Sequence, residues 1–245
     1  MESSKGVCLG IPILQSILSL LPHREKKSEA FANPIVREVI QDFGHQHRKS
    51  AEEIEKACRL ADGFDDLVIL LERPASDHNY VDPFESFVRD SPVLHGVNEV
   101  VSFVTHGSRS IHDTCVLDAF LFRPRNVGDG PTENECHDII HKLLCIKRPD
   151  VVLACCTTIL MEHRLARFQG SDIESAPFLA TRHIEQKPVI SVRCFHPGYC
   201  INRVPYEPRS RVALILAFCL AFARSASERD ALMSIAKAVR PRFQQ

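Results

Sequence analysis

The side chains best placed for chemistry lie around His196, which is followed by Pro197 and Gly198. The histidine comes directly after the apolar run 188–194, a pattern typical of a buried strand. A neutral imidazole donates one hydrogen bond, and its cation stabilises developing negative charge. The position favours a ligand-contacting role for His196, although a structural histidine bonded to a loop carbonyl has the same local sequence.

A carboxylate lies inside a second apolar run. Asp118 is flanked by Leu117 and Phe120 within the predicted strand 114–122. A charge in such a place is costly unless it is paired. Two interpretations stay open, namely an ion pair with Arg123 or another cation, and a ligand contact in a pocket.

A polar loop after the first predicted strand combines acids with aromatic rings. It contains Asp77, Tyr80, Asp82 and Phe84. Such a set suits a site that orients a water molecule and stacks a planar ligand. Polar loops are also common for purely structural reasons, so the loop alone does not identify a site.

The sequence offers little for metal or phosphate chemistry. His137, His141 and Cys145 follow one another at one-turn spacing on a predicted helix, but no fourth ligand accompanies them. A serine-hydrolase elbow and a glycine-rich phosphate loop are both missing from the sequence. We therefore expect no metal and no cofactor.

These residues are positioned by an alternation of short apolar runs with amphipathic segments. Strands are predicted over 67–71, 114–122, 151–155 and 188–194, and helices between and around them, including 159–168, 213–223 and 226–239. The alternation predicts an α/β fold, a three-layer α/β/α sandwich with a short, mainly parallel four-stranded sheet. Ligands bind beyond the carboxyl ends of such strands, so His196 and Asp118 are expected to open onto one cleft.

The amino-acid composition is that of an ordinary globular protein. The chain has 245 residues, 44% hydrophobic and 25% charged, with a net charge of -1, which argues against a uniformly basic nucleic-acid coat. Its 10 cysteines form no CxxC pair and sit mostly in apolar runs, which favours a reducing, intracellular location, nuclear or cytoplasmic. Residues 1–32 are expected to form an arm or docking helix rather than a signal peptide or membrane span, and residues 33–245 a single domain.

The order of these pieces resembles the uracil-DNA glycosylase superfamily. Residues 191–199 are similar to its catalytic histidine motif, 115–118 to its base-reading strand, and 68–71 to its first strand. The resemblance implies a DNA N-glycosylase that takes a base flipped from the duplex into its pocket. It also implies a role for each of several residues: His196 as charge stabiliser, Asp82 or Asp77 as water-orienting acid, Asp118 as base reader, Phe84 or Tyr80 as stacking ring, and Tyr199, Asn202 and Arg203 as DNA contacts.

Three positions depart from the family pattern. Asp118 stands where the family has asparagine, the segment 72–74 stands where its acid or amide is expected, and Gly198 replaces a serine. An ionised aspartate only accepts hydrogen bonds, so Asp118 suits an amino-bearing base such as cytosine or adenine better than uracil. We expect weak uracil excision or none.

Two other functions stay open. One is a non-catalytic module of the same fold that binds nucleic acid or a protein. The other is a small-molecule α/β hydrolase that uses Cys194 or Cys200 as nucleophile. DNA is the partner that the arginines between 193 and 211 favour, no membrane is expected, and the sequence identifies no protein partner.

Overall fold

A computed structural model describes residues 32–123, 130–155, 178–194, 196–198 and 208–239. The predicted arm, apart from its last residue, and the helix predicted over 159–168 lie outside these ranges. None of the described helices combines the length and the apolar character that crossing a bilayer requires.

Seven helices and five strands are described. The helices are α1 (Pro34–Gln46), α2 (Ala51–Ala61), α3 (Phe84–Asp90), α4 (Pro92–Val104), α5 (Glu133–Lys147), α6 (Pro208–Phe222) and α7 (Ala226–Val239). The strands are β1 (Phe64–Leu71), β2 (Thr114–Asp118), β3 (Val151–Ala154), β4 (Phe178–Ile184) and β5 (Lys187–Arg193).

The strands form one sheet in the order β2-β1-β3-β5-β4. Strands β2, β1, β3 and β5 are parallel to one another, and β4 pairs antiparallel with β5 through a tight hairpin. The mainly parallel α/β/α sandwich is thereby confirmed, with five strands instead of four. The extra strand, β4, escaped prediction because polar residues interrupt its pattern, as suits the edge of a sheet.

Several strand and helix boundaries also differ from the prediction: β1 begins at Phe64 instead of residue 67, and α6 at Pro208 instead of residue 213. Strand β2 ends at Asp118, and residues 119–122 form a turn, so the apolar run 114–122 is only half strand. A short helix is predicted over 98–104, and α4 begins six residues earlier, at Pro92, because Ser91 caps it and proline suits its first turn. The short helix α3 was not predicted.

Side-chain hydrogen bonds cap the starts of α1, α2 and α5, at residues whose types predict helix starts. The Asn33 side chain accepts from Ile35 N–H at 3.1 Å, immediately before Pro34. Thr132 and Glu135 form a complete capping box at the start of α5. Helix α6 is buried on nearly all sides, as its uniform apolar run predicts.

Strand β1 divides the core into two halves through the alternation of its side chains. Leu67, Ile69 and Leu71 pack with α4 and α6 on one face of the sheet. Val68 and Leu70 pack with α1, α2 and α5 on the other. Each face is therefore covered by helices, and the polar ends of the strands are left for a site.

Gly63 joins α2 to β1 at a point where a side chain has no room. Its φ is +119°, and a Cβ there would lie 2.7 Å from the backbone nitrogen of Cys115. Only glycine adopts this conformation without strain, so this residue allows β1 to start directly beside β2.

Candidate functional site

A cavity of about 360 Å³ opens at the carboxyl edge of the sheet. It is bordered by the ends of β1 and β2, the turn after β2, the loop after β1, one side of α2, the start of α4 and His196 after β5. Its ionisable lining comprises Glu53, Lys56, Glu72, Arg73, Asp77, His78, Tyr80, Asp118 and His196. This is the location that parallel-sheet topology favours for ligands.

The cavity contains both His196 and Asp118. Asp118 ends β2 in register with Leu71, the last residue of β1, so its side chain stands beside the start of the following loop. His196 comes three residues after β5, which pairs with β3. The cleft expected from the two strand ends is present, and the role of each residue in it stays a prediction.

The orientation of the His196 ring is set by its own loop. The backbone N–H of Gly198 donates to Nδ1 at 3.2 Å, so the neutral ring carries its proton on Nε2. Burial lowers the pKa of His196, while the negative charge of Glu72 opposes that change. The imidazole is thus neutral at physiological pH and retains one N–H for a ligand.

Asp118 is half-buried and faces the cavity. Desolvation raises the pKa of its carboxyl to about 7, and the positive charge of Arg73 acts in the opposite direction. Within the described ranges its carboxylate makes no hydrogen bond and no ion pair. The expected pairing with Arg123 does not occur, since that guanidinium donates to the carbonyl of Pro131 at 2.6 Å.

Glu72 and Arg73 are cavity residues that the sequence pattern did not identify. Glu72 is the first residue after β1, and its carboxylate lies 3.6 Å from Arg73 Nε. The Arg73 guanidinium stacks 4.4 Å from the centre of the Phe120 ring, which holds it against the turn after β2. The position of Glu72 directly after a buried strand was the available signal for its place at this edge of the sheet.

The loop after β1 brings Asp77, His78 and Tyr80 to the cavity. His78 Nε2 lies 3.1 Å from Ser91 Oγ, and burial lowers the pKa of this histidine. The Tyr80 ring packs 5.6 Å from Phe87, and burial raises the pKa of its phenol. These rings form an aromatic wall with Phe87; the sequence predicts Tyr80 as a stacking ring and includes His78 in the same loop without a role of its own.

Two predicted site residues of this loop lie elsewhere. Asp82 is not in the cavity lining and accepts from the Asn79 side-chain amide at 2.9 Å in an exposed turn. Phe84 is 3% exposed, and Arg59 covers its ring at 4.3 Å, so it belongs to the core. Because the chain turns into α3 directly after Pro83, both side chains are carried away from the cavity.

The remaining residues predicted for the site are either outside the described ranges or buried away from the cavity. Tyr199, Asn202, Arg203 and Cys200 lie outside the described residues. Cys194 is fully buried and does not line the cavity, so it has no access to a substrate there.

The described part of the chain contains no group of three metal-ligating side chains. On α5, Cys145 Sγ lies 3.7 Å from His141 Nδ1, and His137 is buried against the ring of Phe120. His137 and His141, which the one-turn spacing suggested as metal ligands, therefore lie in different surroundings.

No protein-family model matches the chain, and no curated protein matches it.

Proposed function

We propose that this chain binds and excises a damaged base in DNA, in the manner of the uracil-DNA glycosylase superfamily that its sequence resembles. The observation that supports this most is the neutral, loop-aligned His196 in one cavity with Asp118 and two further acids, Glu72 and Asp77. A base-excision site needs a donor for the departing base and a carboxylate for the water, and this lining offers both.

The reaction is a hydrolysis of the N-glycosidic bond. A water oxygen forms a bond to the sugar carbon, and the bond from that carbon to the base nitrogen breaks. The electron pair goes to the base, where the Nε2–H of His196 stabilises the negative charge. The proton of the water passes to a carboxylate and from there to solvent or the base.

Glu72 and Asp77 are the two candidates for orienting the water. Both line the cavity, and Glu72 also acts electrostatically on His196. Glu72 is the stronger candidate because it is anchored at the rigid end of β1, whereas Asp77 stands in a loop.

The aromatic wall and the apolar walls suit a flat ligand. Tyr80, His78 and Phe87 line one part of the cavity, and Leu71, Leu94 and Leu121 contribute aliphatic surface. Stacking on such a wall is worth roughly 1–3 kcal/mol per base. A base taken out of the duplex would leave the stack of its neighbours and regain contact here.

A non-catalytic binding protein is the second candidate. It is favoured by the short separation of Glu72 from Arg73, 3.6 Å, because a carboxylate already paired with a cation is a weaker acceptor for a water proton. Under this alternative the cavity holds the base and nothing is cleaved.

The test is base release from oligonucleotides that carry deaminated, alkylated or oxidised bases, in single-stranded and duplex form. We compare the unaltered chain with His196→Ala and Glu72→Gln, and use His95→Ala, an exposed histidine on α4, as the matched control. Loss of the His196 donor should lower the rate about 100-fold or more, and the control should not change it. Base release that survives His196→Ala would overturn the mechanism, and binding without release by the unaltered chain would leave the second candidate.

A further inference from the structure

We propose that the cavity selects bases that present an exocyclic amino group, as cytosine and adenine do, over bases that present a carbonyl at the same position. Asp118 is the specificity-determining residue. This inference rests on the proposed function only in taking a nucleobase as the ligand.

The carboxylate of Asp118 is an acceptor that faces the cavity without a partner among the described residues. Its carboxylate ends β2 at the cavity, half-buried, and within the described residues it has no hydrogen-bond or ion-pair partner. When ionised it has only acceptor sites. A ligand that fills the cavity must offer donors to this group, because a carbonyl placed there leaves two acceptors facing each other without water.

The neighbouring cations do not satisfy the carboxylate. Arg73 lies beside Glu72 and stacks on Phe120. The buried ammonium of Lys56 is 6.0 Å from the centre of the Phe87 ring. Four acids against two permanent cations in the lining also make a donor-rich ligand edge more favourable than an acceptor-rich one.

The protonation of Asp118 gives the selection a pH dependence. The other titratable and charged groups that line the cavity are Glu53 and Lys56 from α2, Glu72, Arg73, Asp77, His78 and Tyr80 from the loop after β1, and His196 after β5. Of these, Arg73 opposes the rise in the pKa of Asp118 that desolvation causes. Because the pKa of Asp118 is about 7, its ionised form predominates above neutrality and its neutral form below. A neutral carboxyl both donates and accepts, so the preference for amino-bearing bases should weaken as the pH falls.

The size of the cavity agrees with a single base. Its volume, about 360 Å³, is at the lower end of the roughly 300–1,000 Å³ of small-ligand sites. The aromatic wall formed by His78, Tyr80 and Phe87 provides the flat surface that such a ring needs.

The experiment is a calorimetric or chemical-shift titration of the whole chain with two matched pairs of free bases, cytosine with uracil and adenine with hypoxanthine. Each pair differs in an exocyclic amino group against a carbonyl and, with it, in whether the neighbouring ring nitrogen carries a hydrogen, so the titration tests the donor pattern of that edge. One unit above the pKa of Asp118, at about pH 8, the amino-bearing member should bind about tenfold more tightly. Asp118→Asn should abolish or reverse that preference, and Asp230→Asn, the same change at an exposed site on α7, should leave it intact.

Tighter binding of uracil or hypoxanthine at that pH, equal binding within each pair, or no binding of any base would overturn the inference. A preference that persists in Asp118→Asn would overturn the assignment to Asp118. Titration with free bases requires no catalysis, so amino selectivity without base release would contradict only the proposed excision. Release of uracil alone would contradict only the selectivity.

Discussion

The backbone N–H of Gly198 donates to Nδ1 of His196 at 3.2 Å, and a Cβ on Gly198 would lie 3.0 Å from that same nitrogen. The glycine therefore provides the hydrogen bond that orients the imidazole and also the space that the ring occupies. A Cβ would in addition lie 3.1 Å from a methyl carbon of Val93 on α4. The absence of the serine that the family pattern has at this position thus coincides with a close approach between loop and helix.

The first prediction concerns this contact. Gly198→Ala should displace the imidazole and lower the proposed base release about 10- to 100-fold, because small misplacements of a catalytic group are costly. The imidazole NMR signals of His196 should shift in parallel, a change that does not depend on any activity. Gly130→Ala is the control, since a Cβ there makes only an ordinary 3.5 Å contact. An unchanged imidazole signal in Gly198→Ala would refute the prediction.

The second prediction follows from the raised pKa of Asp118. In the unfolded chain this carboxyl has the ordinary pKa of an aspartate, and in the folded chain it is about 7, so the folded state holds the proton more tightly. The stability associated with this proton is fully present below about pH 4 and is lost as the pH rises to about 7. Asp118→Asn should therefore be more stable than the unaltered chain above neutrality, by about 2 kcal/mol after allowance for water in the cavity.

The measurement for Asp118 is denaturant unfolding from about pH 4 to about pH 8. The stability difference between the two proteins should grow with pH and level off above about 7. A stability difference that stays constant, or that shrinks as the pH rises, would contradict the raised pKa of Asp118.

The third prediction concerns the amino end of the sheet. Lys147 Nζ is fully buried and lies 2.6 Å from Asp65 on β1. Asp65→Asn should lower stability by about 2–4 kcal/mol, because it leaves an ammonium buried without its carboxylate. Asp90→Asn removes an exposed pair with Arg89, at 2.9 Å, and should change stability far less, because water screens that pair. Equal losses in the two variants would show that the Lys147 pair is no stronger than a surface pair.

The fourth prediction compares two serine caps. Ser91 Oγ accepts from Leu94 N–H at 3.4 Å and lies 3.1 Å from His78 Nε2, whereas Ser50 Oγ accepts from Glu53 N–H at 3.1 Å at an exposed helix start. Ser50→Ala should cost about 1 kcal/mol, and Ser91→Ala should cost about 1 kcal/mol more because His78 also loses its partner. Thermal unfolding of both variants, with His78→Ala in a double-mutant cycle, measures the difference. An absence of coupling between positions 78 and 91 would show that the contact between Ser91 and His78 does not contribute to stability.

Sequence patterns determined most of the fold, because the signals concerned are local. Asn33, Ser50 and Thr132 mark helix starts through hydrogen bonds within three residues, and the apolar runs of β1, β3 and β5 mark buried parallel strands. Strand β4 and helix α3 lacked such signals, since an edge strand tolerates polar residues and a short helix has little periodicity.

For the site, sequence alone determined that Asp118 and His196 follow or end buried strands, and therefore that they share the carboxyl edge of the sheet. Only the tertiary structure decided which loop residues join them. Glu72, His78 and Tyr80 line the cavity while Asp82 and Phe84 do not, although all five lie between the end of β1 and the first residue of α3. The reason is physical: the path of an irregular loop depends on packing against α2, α4 and the turn after β2, and no periodic pattern encodes those distant contacts.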